Sequence, residues 1–230
     1  MATFVVRVWL PDRPGALGAV ASRIGAVRGD LTGVDILERG AGRAIDELVV
    51  QLPDAALCDL MVSEVSQVDG VDVEDVRAVS VAPVDPRLDA LETAAHLVER
   101  EDPNALLSAL GSRAARDFEA DWAAVVDPNA PQPLVTVGGA PPAAWVFAFV
   151  KGAHASLNNG HDGELAASPA DVAWADMAAA ALVILLGRDG RPFRTRERRQ
   201  LSALARIADS RWAELVMPRS ERVPLLTRTG

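Results

Sequence analysis

Cysteine, tyrosine and lysine are nearly absent from this chain of 230 residues, which has one cysteine and no tyrosine. The lone cysteine, Cys58, excludes an internal disulfide and a metal site built from several cysteines. A reduced, cytoplasmic compartment fits this usage. Lysine occurs only at Lys151 while arginine is abundant, and we attribute this bias to the base composition of the genome before any functional preference.

Positive charge and long hydrophobic runs are also scarce. The formal net charge is -9 and the pI is about 4.8, whereas a nucleic-acid-binding protein needs a basic face and anionic membranes attract basic segments. The most apolar run, "MAAAALVILLG", is too short to span a bilayer. The N-terminus lacks the regions of a signal peptide. The sequence therefore predicts a cytoplasmic protein with neither nucleic acid nor membrane as its partner.

The first third of the chain alternates between strand and helix patterns. The stretch "FVVRVWL" reads as a strand that ends at Pro11, and apolar residues from Leu17 to Val27 then recur at spacings of three and four, up to Gly29. Two more strands, a second helical stripe and a fourth strand follow. The predicted order over residues 4–81 is βαββαβ, which is the ferredoxin-like α+β arrangement.

The rest of the chain follows a different order of elements. The stretch "APVDP", residues 82–86, reads as a linker, and residues 217–230 read as a loosely held tail. Between them we predict helices at 87–101 and 103–117, a hairpin, two strands, and a long helix at about 195–215. The stretch "PPAAWVFAFVKGAHASL" fits a strand or a helix, and its Pro-Pro start favours the helix.

The turn within "VWLPDRPGALGAVASRI", residues 8–24, raises a question of ligand binding. A helix that begins directly after a strand presents free N–H groups and the positive end of its dipole, which attract an anion. Gly15 lets a ligand approach the backbone, and Asp12 would pair with an ammonium group. The alternative is structural: Asp12 caps the helix, and Pro14-Gly15 makes a tight turn.

Residues 4–81 resemble an ACT domain in three features: "DRPGAL" after the first strand, the βαββαβ order, and "GDLTGVDI" leading into the second strand. ACT domains typically bind amino acids at this turn and pair side by side, so that a neighbouring chain completes the pocket. The resemblance implies a homodimer with an amino-acid ligand. The ligand-binding residues that it implies are Asp12, Arg13, Pro14, Gly15, Ala16 and Leu17, with Val34, Asp35 and Ile36 as a second wall.

Residues 87–216 resemble a GAF domain, most of all in "ALVILLGRDGRPFRTRERRQLSALARIADSRW". The resemblance implies an α/β domain with an antiparallel sheet. No cysteine lies in this half, which excludes a thioether-linked bilin, and we predict no cofactor.

Three histidines and an arginine cluster are the other candidates for chemistry. His154 and His161 would ligate a metal only if "NNGHDGE" folds back, and that stretch also reads as an exposed turn, so we predict no metal site. His96 reads as structural. Six arginines between 188 and 199 fit either a site that binds a phosphate or an acidic partner or a solvated turn. We favour the solvated turn.

Most of the aromatic residues lie in the second half of the chain. They fit either a pocket for a planar ligand or a core, and the core is favoured because each ring buries much area.

No matched nucleophile and base, P-loop or complete dinucleotide fingerprint occurs in the sequence, so we predict that the protein is not an enzyme. We predict a regulatory protein that binds a small amino acid at its first domain. Its response would pass through dimerisation, through domain rearrangement or to a separate protein partner. The alternative is an interaction module that retains both domains for assembly and binds no ligand.

Overall fold

The computed structural model describes residues 1–79, 86–158 and 169–216. These residues divide into two compact units: residues 1–79 and 86–89 with the short segment Arg194–Glu197 form the first, and the other described residues form the second. Each unit has a four-stranded antiparallel sheet, so the fold is α+β, as predicted. The tail and all of the linker except Pro86 lie outside the described residues.

The first unit has the predicted βαββαβ order of elements. Its elements are β1 (Ala2–Pro11), α1 (Ala16–Ala26), β2 (Asp30–Gly40), β3 (Arg43–Leu52), α2 (Cys58–Ser66) and β4 (Asp72–Val79). The strands lie in the order β2-β3-β1-β4. Both crossovers through helices join strands that are not neighbours in this sheet.

One face of this sheet carries both helices. Alternate residues of β1, from Phe4 to Leu10, point to that face and form a core with Val20 and Ile24 of α1 and Met61 of α2. The helical spacing in the sequence therefore predicted the buried stripes of both helices.

Gly29 follows α1 at a point of close packing. A Cβ atom at this position would lie 2.8 Å from Cγ2 of Ile24 and 3.0 Å from Cδ2 of Leu52. A larger residue would therefore have to displace Ile24 or Leu52 from the core.

The opposite face of the sheet holds a buried charged network. Glu47 Oε1 accepts hydrogen bonds from Arg7 at 3.1 Å and from Arg77 at 3.0 Å. Burial raises the pKa of Glu47, but the charges of Arg77 and Arg7 outweigh that effect, so its pKa lies below the ordinary value. The carboxylate therefore stays ionised and pairs with two guanidinium groups.

Four helices and a second sheet follow. The elements are α3 (Pro86–Val98), α4 (Pro103–Asp117), β5 (Trp122–Val126), β6 (Val135–Gly138), α5 (Ala143–Asn158), β7 (Val172–Met177), β8 (Leu182–Gly187) and α6 (Thr195–Val216). The strand order is β6-β5-β8-β7. The ambiguous stretch at 143–158 is a helix, as favoured. No helix in the described part of the chain is long and apolar enough to cross a membrane.

The second sheet is covered on both faces. One face packs against a core that includes Leu107 of α4 and Leu201 of α6, and the other packs against Val146 and Val150 of α5. Four aromatic residues extend the core under α5: Trp122, Phe147, Phe149 and Trp174. This packing favours the core interpretation of these rings.

Candidate functional site

The turn between β1 and α1 is held by backbone hydrogen bonds, one of them to the loop between β2 and β3. The N–H of Asp12 donates to the carbonyl of Gly42 at 2.9 Å, and the N–H of Arg13 donates to the carbonyl of Pro11 at 2.8 Å. The N–H of Ala16 donates to the carbonyl of Arg13 at 3.3 Å. The turn is therefore a fixed structure in which Ala16, one of the predicted site residues, has no free donor.

Gly15 is the N-cap of α1 and has φ 86° and ψ -12°, in the left-handed region. Glycine adopts this conformation without the steric cost that a side chain would bring. A Cβ placed on Gly15 would meet no atom within 4 Å. The backbone here is therefore open to an approaching molecule, and Gly15 is required by the turn itself.

Three backbone donors at this corner are free. Among the described residues, the N–H groups of Gly15, Leu17 and Gly18 have no hydrogen-bond acceptor, and Ala19 is the next donor to be paired, with Gly15 O at 2.9 Å. The free N–H groups of a first helical turn point out of the helix end, where the dipole is positive. Gly15 and Gly18 are exposed, so these donors are accessible to an acceptor group of an approaching molecule.

Asp12 does not cap α1, so the capping interpretation is wrong. No side chain bonds to the free N–H groups of α1. The exposed carboxylate of Asp12 lies 4.0 Å from Nη1 of Arg39, which is also exposed. Such a surface ion pair holds its partners weakly, so the Asp12 carboxylate remains open to a ligand.

Asp46 on β3 is a second acid at this corner, and the sequence reasoning missed it. It has the strand parity of Ala44 and Leu48, which face the helices. It is only 3% exposed, and its Oδ1 has no hydrogen-bond partner among the described residues. Burial raises the pKa of Asp46, Arg39 opposes the shift and Asp12 adds to it. The sequence "AIDELVVQL" contains a signal for this site, because Asp46 occupies a position of the strand pattern where an apolar residue is expected.

The three residues predicted on β2 as a second wall of the ligand site lie on different faces of the sheet. Ile36 lies opposite Asp46 across the β2–β3 pair, and Val34 shares that face. Asp35 lies opposite Glu47 instead, on the face that carries the charged network. The structure thus brings Val34 and Ile36, which are 42% and 38% exposed, to the side of Asp46, but places Asp35 on the other side.

The remaining predicted residues of the turn differ in exposure. Arg13 and Pro14 are exposed, and the Arg13 side chain has no hydrogen bond or ion pair within the described ranges. Ala16 is buried in the core, and Leu17 packs against it. The side chains of Ala16 and Leu17 therefore anchor α1, and Leu17 can serve a ligand through its N–H.

The arginine cluster includes residues that hold loops. Arg188 is 4% exposed and donates at 2.9 Å to the carbonyls of Phe118, Arg191 and Pro192. Arg198 also donates to main-chain carbonyls. The favoured interpretation of a solvated turn is wrong for Arg188, whose charge is used within the second unit.

The histidines and the cysteine form no metal site among the residues that the structure describes. Nε2 of His154 lies 2.9 Å from Oδ1 of Asp176, while His161 lies outside the described residues. Burial lowers the pKa of His96, as do nearby arginines. Cys58 packs against the first core, and burial raises the pKa of its thiol.

No protein family matches the chain, and no curated protein matches it. Eight chains of solved structures are similar to it, among them the two that follow. A formyltetrahydrofolate deformylase from Pseudomonas putida KT2440 is 19% identical with a TM-score of 0.29, over 41% of this chain and 38% of that one. The chain therefore spans well under half of the deformylase. An unknown protein from Galdieria sulphuraria is 14% identical with a TM-score of 0.32, over 91% of this chain and 92% of that one.

Proposed function

We propose that the first unit is an ACT-like regulatory domain that binds a free amino acid at the turn between β1 and α1. One observation carries the proposal: the N–H groups of Gly15, Leu17 and Gly18 are free at an exposed helix N-terminus. These donors suit the carboxylate that every free amino acid has. The "DRPGAL" motif, which resembles that of ACT domains, supports the same position.

The other end of the ligand requires negative charge. Asp12 is exposed beside the turn, and buried Asp46 is close enough for its pKa to respond to Asp12. The corner thus combines free donors with two acids, which matches the opposite charges of a zwitterion. In this proposal Asp12 binds the ammonium group, and Asp46 adds negative potential beneath it.

A regulatory role requires that binding alters an equilibrium between states. β2 is an edge strand of the first sheet, and Val34 and Ile36 are exposed on it. An exposed edge is suited to pairing with a second chain, so we propose that two copies meet side by side here, next to the turn. The ligand then shifts the pairing, or the arrangement of the two units, by no more than its difference in affinity for the two states. A separate protein partner would read that change.

The proposal predicts that at least one of the twenty amino acids raises the melting temperature of the full chain in a thermal-shift screen. A ligand at a hundredfold excess over its Kd stabilises a protein by about 2.7 kcal/mol. Asp12→Ala removes the exposed acid and should abolish the response without unfolding the protein. Asp69→Ala, which removes another exposed acid in the same unit, should leave the response unchanged.

Two results would contradict this proposal. A flat response to all twenty amino acids at millimolar concentration would favour the interaction module that binds no ligand. An undiminished response in Asp12→Ala would remove Asp12 from the site.

A further inference from the structure

A row of charged side chains crosses the first sheet on the face opposite its helices. Asp35 of β2 lies opposite Glu47 of β3, and Glu47 lies opposite Arg7 of β1. Two carboxylates directly opposite each other on neighbouring strands repel. Glu47 is compensated by Arg7 and Arg77, which both donate to it. Asp35 therefore requires a cation of its own to remain beside Glu47.

Arg196, one of the six arginines of the sequence cluster, supplies this cation. It lies in the segment Arg194–Glu197 of the first unit, and its Nη1 donates to Oδ1 of Asp35. Within the described ranges, the Asp35 side chain has no other hydrogen bond or ion pair. An arginine in the first turn of a helix works against the helix dipole, so the helix alone does not explain Arg196, whereas Asp35 does.

Two other charged residues fix this segment on the same sheet. The guanidinium group of Arg194 pairs with Glu74 of β4 and lies 5.1 Å from the centre of the Trp9 ring. Glu197 caps α6, because its Oε2 accepts from the N–H of Arg194 at 2.8 Å, and its Oε1 lies 3.7 Å from Nη2 of Arg7. The first turn of α6 is thus held on β1 and β4 by contacts that do not involve Asp35.

The strand that carries Asp35 has little else to fix it. β2 is an edge strand that pairs only with β3, and its register with β3 shifts on both sides of a regular stretch at residues 33–36. Val34 and Ile36 flank Asp35 and point to the other face of the sheet, on the side of Asp46. The position of Asp35 therefore sets the position of the two apolar residues beside the turn.

We propose that Arg196 is a positioning residue for the amino-acid site. Its ion pair with Asp35 holds β2 beside β3 against the repulsion from Glu47, and so keeps Val34 and Ile36 beside the turn between β1 and α1. The inference rests on the proposed function for its ligand. The effect of the ion pair on β2 needs no ligand and is measured without one.

Hydrogen exchange of the full chain, followed by NMR without any amino acid, tests the effect on β2. Arg196→Gln leaves Asp35 uncompensated, so the β2 amides that bond to β3 should exchange about threefold faster or more. Arg196→Lys keeps the charge and should restore slow exchange. Asp35→Asn removes the repulsion, so in that background Arg196→Gln should have no further effect.

Arg23→Gln is the matched control. It breaks an ion pair with Glu64 on the other face of the same unit, in which Arg23 is 43% and Glu64 24% exposed, compared with 37% for Arg196 and 26% for Asp35. This variant should leave the exchange of β2 unchanged. Unchanged exchange in Arg196→Gln would overturn the inference, whether or not an amino acid binds.

Titration with each of the twenty amino acids then tests the effect on the site. For any that binds the wild type, Arg196→Gln should raise the Kd about threefold or more, Arg196→Lys should raise it less, and Arg23→Gln should leave it unchanged. Faster exchange with an unchanged Kd would overturn the positioning role. Faster exchange in a protein that binds none of the twenty would overturn the proposed function and the role of Arg196 in it, while the hold of Arg196 on β2 would stand.

Discussion

Ionisation of the Asp46 carboxyl group has a high free-energy cost. The residue is 3% exposed, and its Oδ1 has no hydrogen-bond partner among the described residues. A buried acid of this kind destabilises a fold unless a neighbour or a ligand compensates for its charge. Arg39 compensates in part, while Asp12 opposes it. In the proposed site, a ligand ammonium group at Asp12 would reduce the repulsion between the two acids.

We predict that Asp46→Asn raises the free energy of unfolding at pH 7. The folded-state pKa of Asp46 lies above its ordinary value, mainly through burial. Its contribution to stability is therefore full below the unfolded pKa and is lost as the pH rises through the folded pKa. The loss is about 1.4 kcal/mol for each unit by which the pKa is raised.

Urea unfolding of both proteins between pH 7 and pH 4 measures this effect. The advantage of Asp46→Asn should shrink as the pH falls towards 4. A loss of stability at pH 7 would show that the carboxylate is compensated within the protein, and an advantage that does not change with pH would show that ionisation of Asp46 is not its cause.

At the scale of elements, α1 is an unusual helix because it carries two exposed glycines, Gly18 near its start and Gly25 near its end. A Cβ on either glycine would meet no atom within 4 Å. Packing therefore requires neither of them. Glycine in a helix costs up to about 1 kcal/mol relative to alanine. Packing gives no reason for Gly18, and the proposed site gives one, which is access to the free N–H groups.

We predict that Gly18→Ala and Gly25→Ala each raise the free energy of unfolding by about 0.5–1 kcal/mol, as measured by urea unfolding. Only Gly18→Ala should weaken amino-acid binding, because its methyl group stands beside the free donors. Gly25→Ala is the matched control in the same helix. Equal affinities in both variants would argue against binding at the start of α1.

The elements themselves follow from sequence periodicity, since buried stripes on α1, α2 and α6 and alternation on β1 are local patterns. The site follows only in part. "DRPGAL" indicated the turn, but it did not show that Gly15 takes the cap position and leaves Asp12 open, since that depends on backbone conformation. Asp46 and Arg188 were missed or misread because residues far away in the chain, such as Asp12 and Phe118, contribute to their environments.

At the scale of the whole molecule, the net charge of -9 disfavours simple anions near any surface. A zwitterion has no net charge, so it does not meet this repulsion and still offers a carboxylate to the free donors.

The central claim is that free backbone donors at the start of α1 receive the carboxylate of an amino acid. The most direct measurement is an amide NMR titration of the full chain with the amino acid that gives the largest thermal shift. We predict that the amide signals of Gly15, Leu17 and Gly18 move together and saturate, while that of Gly25 moves far less. If that amino acid saturates the protein and these three signals stay in place, the claim is contradicted.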